Sequence, residues 1–195
     1  MTSSISPEIF KAYDIRGVVG RTLTKEAATA IGLAIAAEAR LRGQTEIAVG
    51  RDGRLSGPEL AAALIRGLRE GGVAVVDLGQ VTTPMTYFAA HALNVGGAVM
   101  VTGSHNPPEY NGLKMVLAGE TLAGEAIQSL RRRIETGIQP GPPAAYRQYD
   151  IRQDYISRIS ADVKLSRPMH IAVDCGNGVA GDFAPELYRD LGCRV

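Results

Sequence analysis

A chain of 195 residues, 45% of them hydrophobic, is long enough to bury a complete core and leaves room for part of a second domain. Its 21 basic and 20 acidic residues give a net charge of +1, so no overall field attracts nucleic acid or an anionic membrane. Residues 1–7 lack a basic segment followed by an apolar run, and no stretch approaches the length of a membrane span. We therefore expect a cytoplasmic protein with no nucleic-acid or membrane partner.

Helices and strands alternate along the first three quarters of the chain. Apolar residues at helical spacing predict a helix over residues 24–41 with Thr24 as its cap, and Ser56 followed by Glu59 predicts a capping box for the next helix. Asn111-Gly112 predicts a turn before a strand. The remaining predicted strands lie near 47–50, 73–78, 98–101 and 113–117, and the remaining helices near 84–93 and 125–135. This alternation predicts a three-layer α/β/α domain with a mixed, mostly parallel sheet.

A Gly- and Pro-rich stretch at residues 137–143 predicts an extended connection between two units. We therefore divide the chain into an N-terminal α/β domain, residues 1–145, and the truncated start of a second, similar domain, residues 146–195. The predicted elements of the second unit are a helix at 150–163, a strand at 169–174, a helix at 182–191 and the first residues of a strand at 194–195.

Two cysteines, Cys175 and Cys193, lie near the end of the sequence among apolar neighbours. They are too close to that end to cross-link the first 170 residues. We predict that both are free thiols that fill the core, as expected in a reducing compartment.

The most informative stretch follows the predicted strand 98–101 and reads Thr102-Gly103-Ser104-His105-Asn106-Pro107-Pro108-Glu109-Tyr110-Asn111-Gly112-Leu113-Lys114. Loops at the carboxyl ends of sheet strands are where α/β folds bind ligands. Gly103 is predicted to let the backbone turn sharply, and the two prolines stiffen the far side of the loop. A rigid loop of this kind suits an exposed nucleophile at Ser104, although a turn with an incidental serine would show the same local pattern.

Together with three other segments in the same order, this loop resembles the phosphoserine loop of the α-D-phosphohexomutases, the family of phosphomannomutases and phosphoglucomutases. The other segments are Phe10-Lys11-Ala12-Tyr13-Asp14-Ile15-Arg16-Gly17, Gly50-Arg51-Asp52-Gly53-Arg54 and Val173-Asp174-Cys175-Gly176-Asn177-Gly178-Val179-Ala180-Gly181. The Tyr-Asp-Ile-Arg-Gly opening is similar to the bacterial dual-specificity phosphomannomutase/phosphoglucomutase branch. The resemblance therefore favours mannose and glucose phosphates as substrates.

The resemblance implies that Ser104 carries a phosphoryl group between hexose 1-phosphate and hexose 6-phosphate, with a hexose 1,6-bisphosphate as the intermediate. It places Arg16 and Lys114 beside the reacting phosphate, where a phosphoserine of about −1.5 to −2 charge needs cations. Lys114 is implied as the general acid/base. Because Lys114 stands between apolar residues of a predicted strand, an inward catalytic role is favoured over a solvated charge.

The resemblance also assigns the residues around this set. His105 is implied as a catalytic-loop residue with Asn106 as its support, and Tyr13, like Arg16, is implied to contact the substrate. Arg51 and Asp52 are implied to support the site from a neighbouring loop. The last two residues could equally form a salt bridge with each other, and the sequence leaves both readings open.

The family binds Mg²⁺ through the phosphoserine and an Asp-Gly-Asp-Gly-Asp-Arg loop, and no such string occurs in this sequence. The resemblance therefore implies one Mg²⁺ ligand here, Ser104 through its phosphate. It also implies that the chain is the N-terminal portion of a mutase, that its partners include the remainder of its own polypeptide, and that these residues alone are inactive.

Three other functions are compatible with parts of the sequence. Residues 176–181 fit the Gly-x-Gly-x-x-Gly spacing of a dinucleotide-binding oxidoreductase, which requires a strand before the turn and a helix after it. A serine hydrolase is disfavoured, because Thr102 and Asn106 replace the glycines of its nucleophile motif around Ser104. A non-catalytic fragment that acts only as an interaction module also remains open.

Overall fold

The computed structural model describes residues 5–195. Residues 1–4 lie outside the described residues, and they belong to the segment 1–7 in which the sequence indicated no targeting signal. The strands are β1 (Ile15–Val18), β2 (Glu46–Arg51), β3 (Ala74–Gln80), β4 (Gly97–Val101), β5 (Tyr110–Leu117), β6 (Glu120–Thr121) and β7 (Tyr146–Gln148). The helices are α1 (Lys25–Leu41), α2 (Gly57–Glu70), α3 (Thr83–Ala92), α4 (Glu125–Thr136), α5 (Arg152–Asp162) and α6 (Ala184–Asp190), with 3₁₀ turns at Pro7–Ile9 and Val179–Asp182.

The strands form one mixed sheet of seven strands in the order β1-β5-β4-β2-β3-β7, and β6 pairs with β5. β4, β2, β3 and β7 run parallel, whereas β1 and β4 pair with β5 in the antiparallel sense. One face packs on α1, α2 and α4 around Val49 and Leu64, and the other packs on α3 and α5 around Ala48 and Met85. The predicted three-layer α/β/α architecture is confirmed.

Two helices pack so closely that their backbones touch. A Cβ atom placed on Gly67 of α2 would lie 2.0 Å from the carbonyl oxygen of Thr29 on α1, and one on Gly32 would lie 2.4 Å from the carbonyl oxygen of Leu64. The glycines are therefore needed for contact rather than for backbone freedom. The predicted cap of α1 is also confirmed, because the Ala27 amide donates to Thr24 Oγ1 at 3.1 Å.

The predicted capping box and the predicted turn are both wrong, because the side chains of Ser56 and Asn111 bond to each other. Ser56 already has helical backbone angles and makes no cap bond; instead its hydroxyl accepts a hydrogen bond from Asn111 Nδ2 at 2.9 Å. Asn111 and Gly112 lie inside β5, where a Cβ atom on Gly112 would meet the Ile15 carbonyl oxygen at 2.2 Å. The Asn-Gly pair therefore serves close strand pairing and a buried side-chain contact, and it makes no hairpin turn.

The Gly- and Pro-rich stretch after α4 runs along the end of α2. Its Gly141 amide donates to the Glu70 carbonyl at 2.7 Å, and the Ala144 amide donates to the Arg69 carbonyl at 2.9 Å. β7 follows at once and pairs with the outer edge of β3. The first residues assigned to the second unit thus extend the first sheet, and the division at residue 145 stays a prediction.

The predicted strand at residues 169–174 does not form. His170 makes a single isolated bridge with Arg194, supported by hydrogen bonds from the Ile171 amide and the Arg194 amide, each 2.8 Å long. A parallel strand needs neighbours along its length, and within the described residues this segment has only the short stretch around Arg194. The helices predicted on either side are present as α5 and α6.

Both cysteines are free thiols, as predicted. Cys193 is buried, whereas Cys175 is only partly buried and therefore does not fill a core position. Across residues 5–195, no helix is both long and apolar enough to cross a membrane.

Candidate active site

Two loops meet where the parallel strands β2 and β4 end side by side. Arg51 and Val101, the last residues of these strands, are paired in register, and the Asp52 amide donates to the Val101 carbonyl at 3.0 Å. The loop after β2 and the loop after β4 line an open cleft of about 1090 Å³ whose far wall contains Asn177, Gly178 and Val179. This is the edge of an α/β sheet at which ligands bind.

Ser104 is exposed at this edge in a left-handed backbone conformation, with φ of +52°. Such a conformation costs a residue other than glycine about 1–2 kcal/mol. The Ser104 amide donates to Thr102 Oγ1 at 2.9 Å, and Asn106 donates to the Gly103 carbonyl through its amide and its side chain at 3.0 and 3.1 Å. Ser104, rather than Gly103, has the positive φ, so the turning role predicted for Gly103 is wrong.

Asp52 holds the first half of this loop. Its Oδ2 accepts hydrogen bonds from Thr102 Oγ1 at 2.7 Å and from the Gly103 amide at 3.2 Å, and its Oδ1 accepts one from the Arg54 amide at 3.0 Å. Both carboxylate oxygens are therefore occupied by donors from the chain itself.

Arg54 holds the second half of the loop. Its Nη1 donates to the carbonyls of Pro107 and Tyr110 at 2.7 and 2.9 Å, and its Nη2 donates to those of Ser104 and Asn106 at 3.0 and 2.6 Å. Sequence reasoning quoted Arg54 within a motif but gave it no role.

Arg16 of β1 reaches the loop, and Lys114 of β5 shares the carboxylate partner Asp14 with it. Arg16 Nη1 donates to the Thr102 carbonyl at 3.0 Å, which ties this guanidinium to the loop two residues before Ser104. Asp14 Oδ2 pairs with both Arg16 Nη2 and Lys114 Nζ, the second at 3.6 Å. The Asp14 and Arg16 side chains are only 15% and 10% exposed, so the pairing is well shielded from solvent. Asp14 was missed by sequence reasoning, although it lies in a quoted motif.

The other predicted site residues are placed less closely together. Tyr13 is 79% exposed and His105 is exposed, and neither side chain makes a hydrogen bond within residues 5–195. Arg51 Nη1 donates to Gln80 Oε1 at 3.3 Å on β3. The described part of the chain shows no salt bridge between Arg51 and Asp52, so their mutual pairing is not observed.

The dinucleotide-binding alternative lacks its structural context. Gly176 adopts a positive φ and its amide donates to Asp174 Oδ1 at 2.8 Å, so a tight turn is present. However, among the described residues no strand leads directly into the turn, and the turn is followed first by the 3₁₀ turn Val179–Asp182, with α6 beginning only at Ala184. The fingerprint requires a strand and a helix at these places.

The residues described do not by themselves form a metal centre. Within residues 5–195, no group of three or more His, Cys, Asp or Glu side chains is arranged to hold a metal ion. Asp52, an acidic side chain bonded to the Ser104 loop, already accepts three hydrogen bonds from the chain itself.

A three-layer α/β domain that presents a serine on a fixed loop, with an arginine bonded to that loop and a lysine that shares the arginine's carboxylate partner, has features that suit the alignment and binding of phosphate groups. Residues 7–140 match the family model described as phosphoglucomutase/phosphomannomutase, alpha/beta/alpha domain I. The chain belongs to the phosphoglucomutase/phosphomannomutase family.

Similar proteins are found over the whole chain. A phosphoglucomutase of Neisseria meningitidis is 54% identical over 99% of this chain and 42% of its own length, and a phosphomannomutase/phosphoglucomutase of Pseudomonas aeruginosa is 54% identical over 98% and 42%. A crystal structure of a phosphoglucomutase/phosphomannomutase family protein from Burkholderia thailandensis superimposes with a TM-score of 0.92 at 50% identity, over 97% of this chain and 43% of that one. The chain thus spans about two fifths of the curated relatives it matches.

Proposed function

We propose that Ser104 accepts and returns a phosphoryl group in a phosphohexose mutase that interconverts the 1- and 6-phosphates of glucose and mannose. The observation that carries this proposal is the loop itself: an exposed serine in a strained conformation, bonded on both sides by Asp52 and Arg54 and tied to Arg16. Its relatives are named phosphoglucomutases and phosphomannomutases, which supports the two sugars.

Fixed geometry is what such a reaction needs from the protein. In the first half-reaction a hydroxyl oxygen of the sugar attacks the phosphorus of phosphoserine, the bond from phosphorus to Ser104 Oγ breaks, and Lys114 takes up the hydroxyl proton. In the second half-reaction Ser104 Oγ attacks the other phosphorus of the bisphosphorylated sugar, the bond from that phosphorus to the sugar oxygen breaks, and the sugar oxygen takes the proton back. Because phosphoryl transfer depends mainly on alignment and charge neutralisation, a rigid loop flanked by cations supports it.

The charges beside Ser104 are balanced only in part. Arg16 and Lys114 bring two positive charges and Asp14 one negative charge, so the cluster carries about +1 against a phosphoserine of about −1.5 to −2. A divalent cation such as Mg²⁺ would offset the remainder, and Ser104 through its phosphate is the one ligand we assign to it. We assign Lys114 as the proton carrier for the sugar hydroxyl.

We assign the remaining roles as follows. Tyr13 and Arg16 contact the substrate from β1 and its preceding loop, and His105, next to Ser104 in the sequence, acts at the reacting groups. Asn106 and Asp52 support the loop by the bonds described above, and Arg51 supports it less directly through β3. The partners are a hexose phosphate, a hexose 1,6-bisphosphate and the remainder of the same polypeptide, in the cytoplasm.

The test is a hybrid enzyme in which residues 1–195 replace the corresponding part of the Pseudomonas aeruginosa relative. We expect the hybrid to convert glucose 1-phosphate to glucose 6-phosphate and to take up label from glucose 1,6-bisphosphate on Ser104. A hybrid with Ser104→Ala should do neither. If peptide mapping finds the label on another residue, or if the hybrid is inactive while its fold is intact, the proposal is wrong and a non-catalytic role is favoured.

A further inference from the structure

The side chain of Arg54 is bonded to almost every part of the Ser104 loop. Two of its nitrogens donate to four backbone carbonyls between Ser104 and Tyr110, and its Nε lies 3.5 Å from Asp52 Oδ2. Arginine has five N–H donors in one rigid plane, whereas lysine has three on a single flexible point. The pattern of acceptors around Arg54 therefore matches a guanidinium and no other side chain.

Gly103 is shaped to the same side chain. A Cβ atom on Gly103 would lie 2.1 Å from both Cζ and Nε of Arg54. The backbone of Gly103 has no positive φ, so its glycine is not required for conformation. It is required for clearance, because the guanidinium plane packs directly against the backbone of the residue before Ser104.

We infer that Arg54 is a positioning residue that holds Ser104 in its left-handed conformation for phosphoryl transfer, and that Gly103 provides the space for it. This inference rests on the proposed function of Ser104. The hydrogen bonds oppose relaxation of the strained serine, since bonds from a charged donor are stronger than bonds between neutral groups. The Arg54 side chain is only 16% exposed, so most of it is held against the loop.

Positioning differs from simple charge neutralisation in a way that can be measured. The guanidinium is engaged by carbonyl oxygens and by Asp52, so its charge is already used within the loop. If Arg54 acts by position, Arg54→Lys keeps the charge but fails nearly as badly as Arg54→Ala. If it acts by charge alone, the lysine variant retains most of the activity.

The kinetic test uses the hybrid enzyme described above. A misplaced reacting group costs about 10²-fold in rate, so we expect both Arg54 variants to lose about that much kcat while KM changes little. Guanidinium chloride at a non-denaturing concentration should restore part of the kcat of Arg54→Ala, and the same concentration of sodium chloride should not. Arg66→Ala, which removes an exposed arginine of α2 bonded to Thr29, is the matched control and should keep full activity.

A double-mutant cycle tests the part assigned to Gly103. Gly103→Ala alone should lower kcat because the new methyl group displaces the guanidinium. In the Arg54→Ala background the same change should cost much less, since the group it collides with is gone. Additive effects would overturn the clearance role.

Hydrogen exchange on the 195-residue chain supplies a readout that needs no activity. In Arg54→Ala the amides of Ser104, Asn106 and Tyr110 should exchange faster, and added guanidinium should slow them again. An active, Ser104-dependent hybrid whose kcat survives Arg54→Lys would overturn the inference alone. Label uptake independent of Ser104 would instead overturn the proposed function, and unchanged exchange of these amides would overturn the inference even if the hybrid were inactive.

Discussion

Two segments of the chain share one sequence pattern, an apolar run followed by a Gly-containing turn, and fold differently. Residues 98–101 lie in the interior strand β4, which is fully buried between β2 and β5, whereas residues 169–174 make only one bridge, with Arg194. The Ser104 turn donates hydrogen bonds to Asp52 and accepts them from Arg54 and Arg16, whereas the Gly176 turn is bonded to its own Asp174. A turn becomes a fixed site through the elements around it, and its own residues do not suffice.

The largest predicted effect is the difference in phosphoryl uptake between a Ser104 variant and a Ser166 variant. We expect Ser104→Ala to abolish phosphoryl uptake from glucose 1,6-bisphosphate in the hybrid enzyme, because the acceptor oxygen is removed. Ser166→Ala changes an exposed serine just before the weakly paired segment and should leave uptake unchanged. The measurement is radiolabel incorporation followed by peptide mapping, and normal uptake in the Ser104 variant would contradict the site assignment.

The second largest predicted effect is the difference in kcat between a Lys114 variant and a Lys164 variant. Lys114→Ala should lower kcat of the hybrid by about 10²–10⁴-fold with a smaller change in KM, as expected for a group that moves a proton in the transition state. Lys164→Ala is its control, since Lys164 is an exposed residue just beyond α5. Steady-state kinetics with glucose 1-phosphate decide the matter, and equal constants for the Lys114 variant and its parent would reduce Lys114 to a partner of Asp14.

Hydrogen exchange should reveal the difference between the two segments directly. Amides of β4 and β5 should exchange about a hundredfold or more slowly than those of residues 169–178, because interior strands open only with the whole domain. Met169 is 37% exposed and Ile171 and Val173 are only partly buried, so little burial opposes opening there. Slow exchange across residues 169–178 in a monomeric chain would show that this segment is more stable than its pairing indicates.

The stabilities of two glycine-to-alanine variants, one in each part of the chain, compare how closely the two parts are packed. Gly67→Ala should destabilise the protein by about 1–3 kcal/mol, since its methyl group would collide with the α1 backbone at Thr29. Gly181→Ala should change stability little, because a Cβ atom there would lie 3.7 Å from Cys175 Cβ, an ordinary contact. Chemical denaturation of both variants tests this, and equal losses would contradict the close packing of α1 on α2.

The sequence predicted the layers of the fold and the position of the serine loop, because burial at helical or strand spacing and glycine or proline at loop ends are local signals. It did not predict how Asn111, Ser56 and Gly112 are used, since their partners are 55 residues apart or on another strand. The role of Arg54 was missed for the same reason, because a side chain that bonds to distant backbone leaves no trace in its own neighbourhood. Asp14 was missed because its link to Lys114 joins segments that are far apart in the sequence.

The smallest effect concerns two ion pairs. Glu38 on α1 accepts hydrogen bonds from Arg42 and from Arg133 of α4, each at 2.9 Å. Burial by itself raises the pKa of Glu38, but these two bonds together outweigh it and hold the pKa below its ordinary value of 4.5. The stabilisation is therefore present above that value and is lost as the pH falls through the lowered pKa.

We expect Glu38→Gln to cost about 1 kcal/mol of unfolding free energy at pH 7, and the gap between variant and parent to shrink once Glu38 is protonated in the folded protein. Asp162→Asn removes an exposed partner of Arg158 at the end of α5 and should cost less, because solvent screens that pair. Denaturation curves at pH 7 and at about pH 3 measure both differences. A constant gap for Glu38→Gln across this range would mean that Glu38 joins α1 to α4 by packing alone, without its charge.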